Sequence, residues 1–167
     1  FWDIDSESKL DISLNPDFGQ VESDDVIINF SANETFYPDK RPFFTENQSL
    51  FDITGWDLRF INTRRIGGAP DKCSESNEAH LGECDSSISD TSDINYALRY
   101  TKEGQINKYG FFIANEDDSL FSEGRDYFAF RYRANLSKNS GKVGYLTTSV
   151  NRPSIDRKAK ANVIDFD

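Results

Sequence analysis

The sequence predicts an all-β fold, an antiparallel β-sandwich of immunoglobulin-like or jelly-roll type with about eight strands and one disulfide. Three observations carry that expectation. Apolar residues recur with a period of two in many short stretches, turn residues separate those stretches, and no stretch sustains apolar positions at i, i+3, i+4 and i+7. The clearest strand is Asp126–Ala134, where Phe128, Phe130, Tyr132 and Ala134 share one face and Arg131 and Arg133 the other. Thr54, Trp56, Leu58 and Phe60 repeat the pattern, as do Ile94, Tyr96, Leu98 and Tyr100. Leu10, Ile12 and Leu14 alternate with Asp11 and Ser13. Val26–Phe30, Phe111–Ala114, Val143–Val150 and Val163–Phe166 complete the strand candidates. Short helical turns fit only Asn47–Ile53 and Asp117–Ser122.

Turn chemistry marks the breaks. Asn15-Pro16-Asp17-Phe18-Gly19 combines a fixed φ with a residue free to take positive φ. Pro38 and Pro42 mark an irregular crossing, and Lys138–Lys142 reads as a hairpin tip. The longest span without strand character is 64–93, read as a loop that carries the disulfide. Residues 152–167 read as a C-terminal tail or an added strand. Residues 1–167 thus read as one domain, large enough to bury a core.

Composition narrows the function. Aromatic residues make up 14% of the chain, far more than a disordered segment carries. The net charge of −10 argues against sequence-independent binding of nucleic acid, which needs a basic footprint. No run of 18 apolar residues is present, so no membrane insertion is expected. A chain that starts at Phe1 and contains no Met reads as processed, and the expected setting is extracellular or cell-surface.

Cys73 and Cys84 enclose a polar stretch that contains His80, the only histidine. Their spacing matches no zinc pattern, so the pair reads as a disulfide in an oxidising compartment. The acidic residues Asp71, Glu75, Glu78, Glu83, Asp85, Asp90 and Asp93 lack the ordered spacing of a calcium loop and read as solvated. No nucleophile elbow or His-Glu pair accompanies His80, so no catalytic group, metal or cofactor is assigned. Aromatic side chains near amides and charges are how carbohydrate sites stack a sugar. Tyr37, Phe43 and Phe44, in the Pro-rich crossing, are the candidates for that role.

Two pieces resemble subunits and adhesins of bacterial chaperone–usher fimbriae. Phe1-Trp2 with Ser8–Asn15 resembles their extended leader. Tyr127–Tyr132 with Ser140–Val150 resembles their closing hairpin. The resemblance implies an incomplete immunoglobulin-like fold that takes a strand from a partner, with Leu10, Ile12 and Leu14 as the donor-strand candidate. The expected function is therefore a non-enzymatic extracellular adhesion or fimbrial assembly module. Its partner would be another subunit of the same assembly, or a cell-surface or glycan receptor. The alternative is a carbohydrate-binding β-sandwich within a larger secreted or surface protein.

Overall fold

A computed structural model describes residues 2–16, 39–46, 48–53, 60–68, 70–71, 91–119, 122–136 and 141–166. Seven antiparallel strands form one sheet in strict chain order: β1 (Trp2–Asp3), β2 (Ser8–Leu14), β3 (Ile94–Glu103), β4 (Asn107–Glu116), β5 (Asp126–Asn135), β6 (Lys142–Arg152) and β7 (Arg157–Phe166). The all-β, antiparallel expectation is met. No second sheet lies against this one among the described residues. One face is instead covered by short pieces within 39–71, here termed the strap.

The strands form where period-two alternation is unbroken. β3, β4, β5 and β7 are ten residues long and β6 is eleven. The tail expected after residue 152 is β7, entered through a 3-10 turn at Pro153–Ile155 and a left-handed Asp156. The strand expected at Val26–Phe30 lies outside the described residues, as do positions 54–59 of the strand expected around Trp56; Phe60 is not in a strand. Cys73, Cys84, His80 and Tyr37 also lie outside them.

The strap comprises helix α1 (Pro42–Thr45) and 3-10 turns at Gln48–Leu50 and Thr63–Arg65. Pro at the first helical position suits α1, because that N–H would be unbonded in any case. From these pieces Phe43, Phe44, Leu50, Phe51 and Ile66 bury themselves against Ala97, Phe112, Ala114, Ala129 and Leu146 of the sheet. The Phe43, Phe44 and Phe112 rings meet at 5.2–6.3 Å between centroids. Phe43 and Phe44 therefore belong to the core, which corrects their reading as surface sugar platforms. The helical turn aims both rings at the sheet, and a proline in the sequence does not show which way that turn will face.

Gly110 sets how close the strap can come. A Cβ there would lie 2.7 Å from the Tyr100 carbonyl oxygen and 2.9 Å from Leu50 Cδ2. Small residues elsewhere on this face, Ala97, Ala114 and Ala129, leave space for the phenylalanines in the same way. Phe44→Ala is expected to lower unfolding free energy by about 3–5 kcal/mol. Denaturant titration of the variant against the parent chain checks this.

Candidate functional site: the arginine clasps of the covered face

The pairing register assigns each side chain to a face. Asp11, Arg99, Glu116, Arg131 and Asp165 all project from the covered face, among the alanines and Phe112. Charged residues on a dry face must be neutralised in place. The sheet does this with carboxylates of its own.

Arg99 on β3 donates from Nε to Asp11 Oδ2 on β2 at 3.0 Å, and its Nη2 pairs with the same oxygen. Arg131 on β5 forms a two-pronged pair with Asp165 on β7, its Nη2 donating to Oδ2 at 2.7 Å. Arg125, just before β5, donates to both oxygens of Glu116 at the end of β4. Arg131 is 1% exposed and Arg99 3%, which makes them core residues.

Each arginine then spends its remaining N–H groups on the strap. Arg99 Nη1 donates to the carbonyl oxygens of Phe43 and Glu46, at the end of α1. Arg131 Nε donates to Leu50 O, the end of the second turn, at 3.2 Å. Arg125 Nη2 donates to Gly68 O at 3.1 Å, beyond the third turn. The last carbonyls of any helical turn lack intrahelical partners and carry its negative end. A cation placed there satisfies both needs: the sheet supplies Arg99 to α1 and Arg131 to the second turn, while the third turn takes Arg41 of the strap at Thr63 O and Ile66 O. Two further bonds complete the clasp. Glu116 Oε1 accepts the Gly67 N–H at 2.8 Å, and Tyr127 Oη donates to Arg65 O at 3.2 Å. Burial, followed by the nearby Glu116 charge, raises the Tyr127 phenol above its usual range, so it remains a donor.

At the far end of the strap, Asp71 pairs with Arg152 of β6, whose Nε donates to its carboxylate at 3.0–3.1 Å. Asp71 is buried, so the solvated-loop reading is corrected at that residue. Within the strap, Arg41 pairs with Asp39 and donates to Thr63 O and Ile66 O, both at 2.7 Å. Asp11 Oδ1 accepts no hydrogen bond, but Lys9 Nζ stands 3.7 Å away.

Gly144 makes the Arg131–Asp165 pair possible. The pair joins β5 to β7 over the intervening β6, and Gly144 is the β6 residue beneath it. A Cβ there would approach Asp165 Oδ1 and both Arg131 Nη atoms, the latter at 2.7 Å. Sequence reading placed Arg131 on the face opposite Phe128, Phe130 and Tyr132 and did not show that this is the covered face. A glycine opposite Arg133 and Asp165, on the same face as Arg131, was the available signal.

A cleft of about 390 Å³ lies between the strap and β4–β7, lined by Arg65, Phe112, Tyr127, Thr148 and Arg152 among others. Its Arg125 and Arg152 already face Glu116 and Asp71. No group of three or more potential metal ligands occurs among the described residues. The donor-strand candidates Leu10, Ile12 and Leu14 lie within β2 of this chain's own sheet and share its uncovered face. Ile12 and Leu14 are 52% and 74% exposed.

Residues 2–98 match the family model of a domain of unknown function, DUF5916. That span covers more than half of the 167 residues, so the chain belongs to this family. It includes β1, β2, the whole strap and the first half of β3. No curated protein and no solved structure matches the chain.

Asp165 and Asp71 are held below the usual aspartate range, first by hydrogen bonds from Arg131 and Arg152. A carboxylate whose folded value is depressed contributes stability above its unfolded value, about 3.9, and loses it as pH falls through the folded value. Acidification from about pH 5 to below about pH 3 is therefore expected to loosen these two clasps. Asp165→Asn should remove its share of that pH dependence, read from melting temperature across the range. Gly144→Ala should lower the melting temperature at neutral pH by forcing the Arg131–Asp165 pair apart.

Proposed function

We propose that this sheet is a wall sector of a membrane-spanning β-barrel, with its uncovered face against lipid hydrocarbon and its charged face inward on the strap. The observation that carries the reading is the pattern of the uncovered face. On β2 it presents Leu10, Ile12 and Leu14; on β3, Tyr96, Leu98 and Tyr100; on β4, Tyr109, Phe111 and Ile113. β5 adds Phe128, Phe130, Tyr132 and Ala134, β6 adds Val143 and Tyr145, and β7 adds Ile164 and Phe166. Tyr96, Phe128, Tyr132 and Tyr145 are each 36–43% exposed, and Phe166 is 76% exposed. A continuous apolar sheet face of this width is far beyond what water-soluble monomers leave uncovered.

The belt is bounded and inclined. Along one rim lies a polar row in which Asn115 bonds to Asn95 and to Asp126, and Asn151 to Asp126, at 2.8–3.1 Å. The last apolar residue on that side of each strand is Leu14, Tyr96, Ile113, Phe128, Tyr145 and Ile164 in turn. By the register, this boundary slides about six residues along the strands over about five strand steps, at about 3.3 Å per residue and 4.8 Å per step. The resulting slope is about 40°, within the roughly 35–45° tilt that strands of membrane barrels adopt. Strands of ten and eleven residues also suit the bilayer, which needs about 9–11 when tilted. Tyr100, Tyr109 and Tyr132 lie toward the other rim while Tyr96 and Tyr145 mark the first, and an amphipathic ring suits either lipid–water boundary.

No helix among the described residues is long and apolar enough to cross a membrane. The crossing elements in this reading are strands, which a search for apolar runs does not address, because only every second residue faces lipid.

The test is insertion. The purified full chain, refolded with phospholipid vesicles, is expected to float with them and to resist extraction by alkaline carbonate. Phe130→Arg, one row inside the rim that Phe128 marks, should cost about 2–4 kcal/mol of insertion stability, and Phe128→Arg at the rim itself about 0–1 kcal/mol. In a water-soluble module a change on this uncovered face would alter stability by no more than about 0.5 kcal/mol at either position. A monomer that remains in the aqueous fraction, indifferent to Phe130→Arg, would overturn the reading.

A further inference from the structure

We infer that the outer edge of β7 is an interface that pairs antiparallel with one more membrane strand of defined character. This inference rests on the barrel-wall reading. Among the described residues β7 is the last strand of the sheet, bonded to β6 on one side only. In an antiparallel ladder alternate residues point their N–H and C=O groups to opposite sides, so about half of its ten residues direct both groups outward. Water would satisfy those groups at the edge of a soluble sheet. Hydrocarbon cannot, and membrane sheets therefore leave no open edge.

The side chains of β7 specify the partner. Ile164 and Phe166 lie in the apolar belt, Ile164 at its rim, so the residue opposite Phe166 is expected to be aliphatic or aromatic. Lys158 and Lys160 lie on the same face beyond the belt, beside the polar row, and call for carboxylates or amides opposite. On the inner face Ala159 and Ala161 leave room for large or polar side chains. A second copy of β7 does not meet these demands. A two-fold antiparallel pairing along the full strand would set Lys158 opposite Phe166 and Lys160 opposite Ile164, placing ammonium groups in the belt.

Every neighbouring pair in the sheet is antiparallel, and the apolar boundary moves in one sense from β2 to β7. The partner strand continues both trends, with its own boundary level with Ile164 or displaced further in the same sense.

Proline substitution tests this directly. Proline removes one backbone donor, and a strand at a free edge tolerates it wherever that donor points outward. Val163→Pro and Ile164→Pro, adjacent positions inside the belt whose donors point to opposite sides of the strand, placed singly in the full-length protein, should both reduce the folded, membrane-inserted fraction at least tenfold. Retention of the parent yield at either position would overturn the inference. Amide hydrogen exchange on the unsubstituted protein supplies a second reading free of folding defects. Residues 163–166 should all be protected alike, whereas alternation of fast and slow amides would sink the proposal. Asn162→Cys should give no disulfide-linked dimer above the level of the parent chain, and such a dimer would identify the occupant as a second β7. Flotation of the parent chain is scored separately. Its failure removes the barrel reading, while flotation with an alternating exchange pattern removes only the paired edge.

Discussion

Neutralisation of charge on a dry face is the constraint on which the rest of the molecule depends. Three arginines lie between sheet and strap, and each is matched by a carboxylate from a neighbouring or next-but-one strand. Burying such a pair is costly, and breaking it by removing one partner costs several kcal/mol more. The pairs therefore dictate what surrounds them. Gly144 leaves the gap through which Arg131 reaches Asp165. The short helical turns of the strap end where the arginines have N–H groups left to donate, and Asp11 is held between Arg99 and Lys9.

This arrangement reverses the usual partition of a soluble sheet. Aromatic and aliphatic side chains dominate the uncovered face, while the covered face mixes alanine, glycine and ion pairs with a few large rings. The strap recognises the wall through backbone carbonyls as well as through Phe43, Phe44 and Leu50. Carbonyl recognition does not depend on the strap's side chains; it uses the carbonyls that every helical end leaves open. The same arginines that would be disfavoured against lipid are at home on an inward face lined with partners.

Much of this fold was legible in the sequence. Alternation placed β2, β3, β5 and β6 within about three residues of their limits, caught only four of the ten residues of β4 and of β7, and put Leu10, Ile12 and Leu14 on one face. What alternation could not reveal was which face is covered. It shows that the two sides of a strand differ, and in water the default assignment puts aromatics inward and arginines outward. Arg131 shares the face opposite the aromatics of β5, yet it is among the most buried residues. Phe43 and Phe44 were misread because a proline suggests an irregular surface, whereas Pro42 opens a helical turn. Asp71 was read with the acids that follow it in sequence, and its partner Arg152 lies 81 residues away. Pairing over that separation leaves no local signature.

The inclination of the apolar belt distinguishes the possible architectures better than its composition does. A sheet that buries one face against a second sheet is apolar over the overlap of the two layers. Their strands stay within about 30° of one another, so the apolar rows follow the pairing register closely. A slab of hydrocarbon ignores register. It cuts a tilted sheet along a straight line, and residues enter and leave the slab in the order in which tilt carries them across it. Tyr145 and Ile164 are directly paired, as are Tyr96 and Leu14, yet the two pairs mark the same rim at heights about six residues apart along the strands. The polar row bends with them: Asn115 and Asp126 lie level with Tyr96, where β3 is still apolar, while Thr147 and Ser149 have already turned polar at the level of Phe130 and Phe128. Each residue's polarity thus follows its height above a plane inclined to the register, which is the relation a lipid-facing wall imposes.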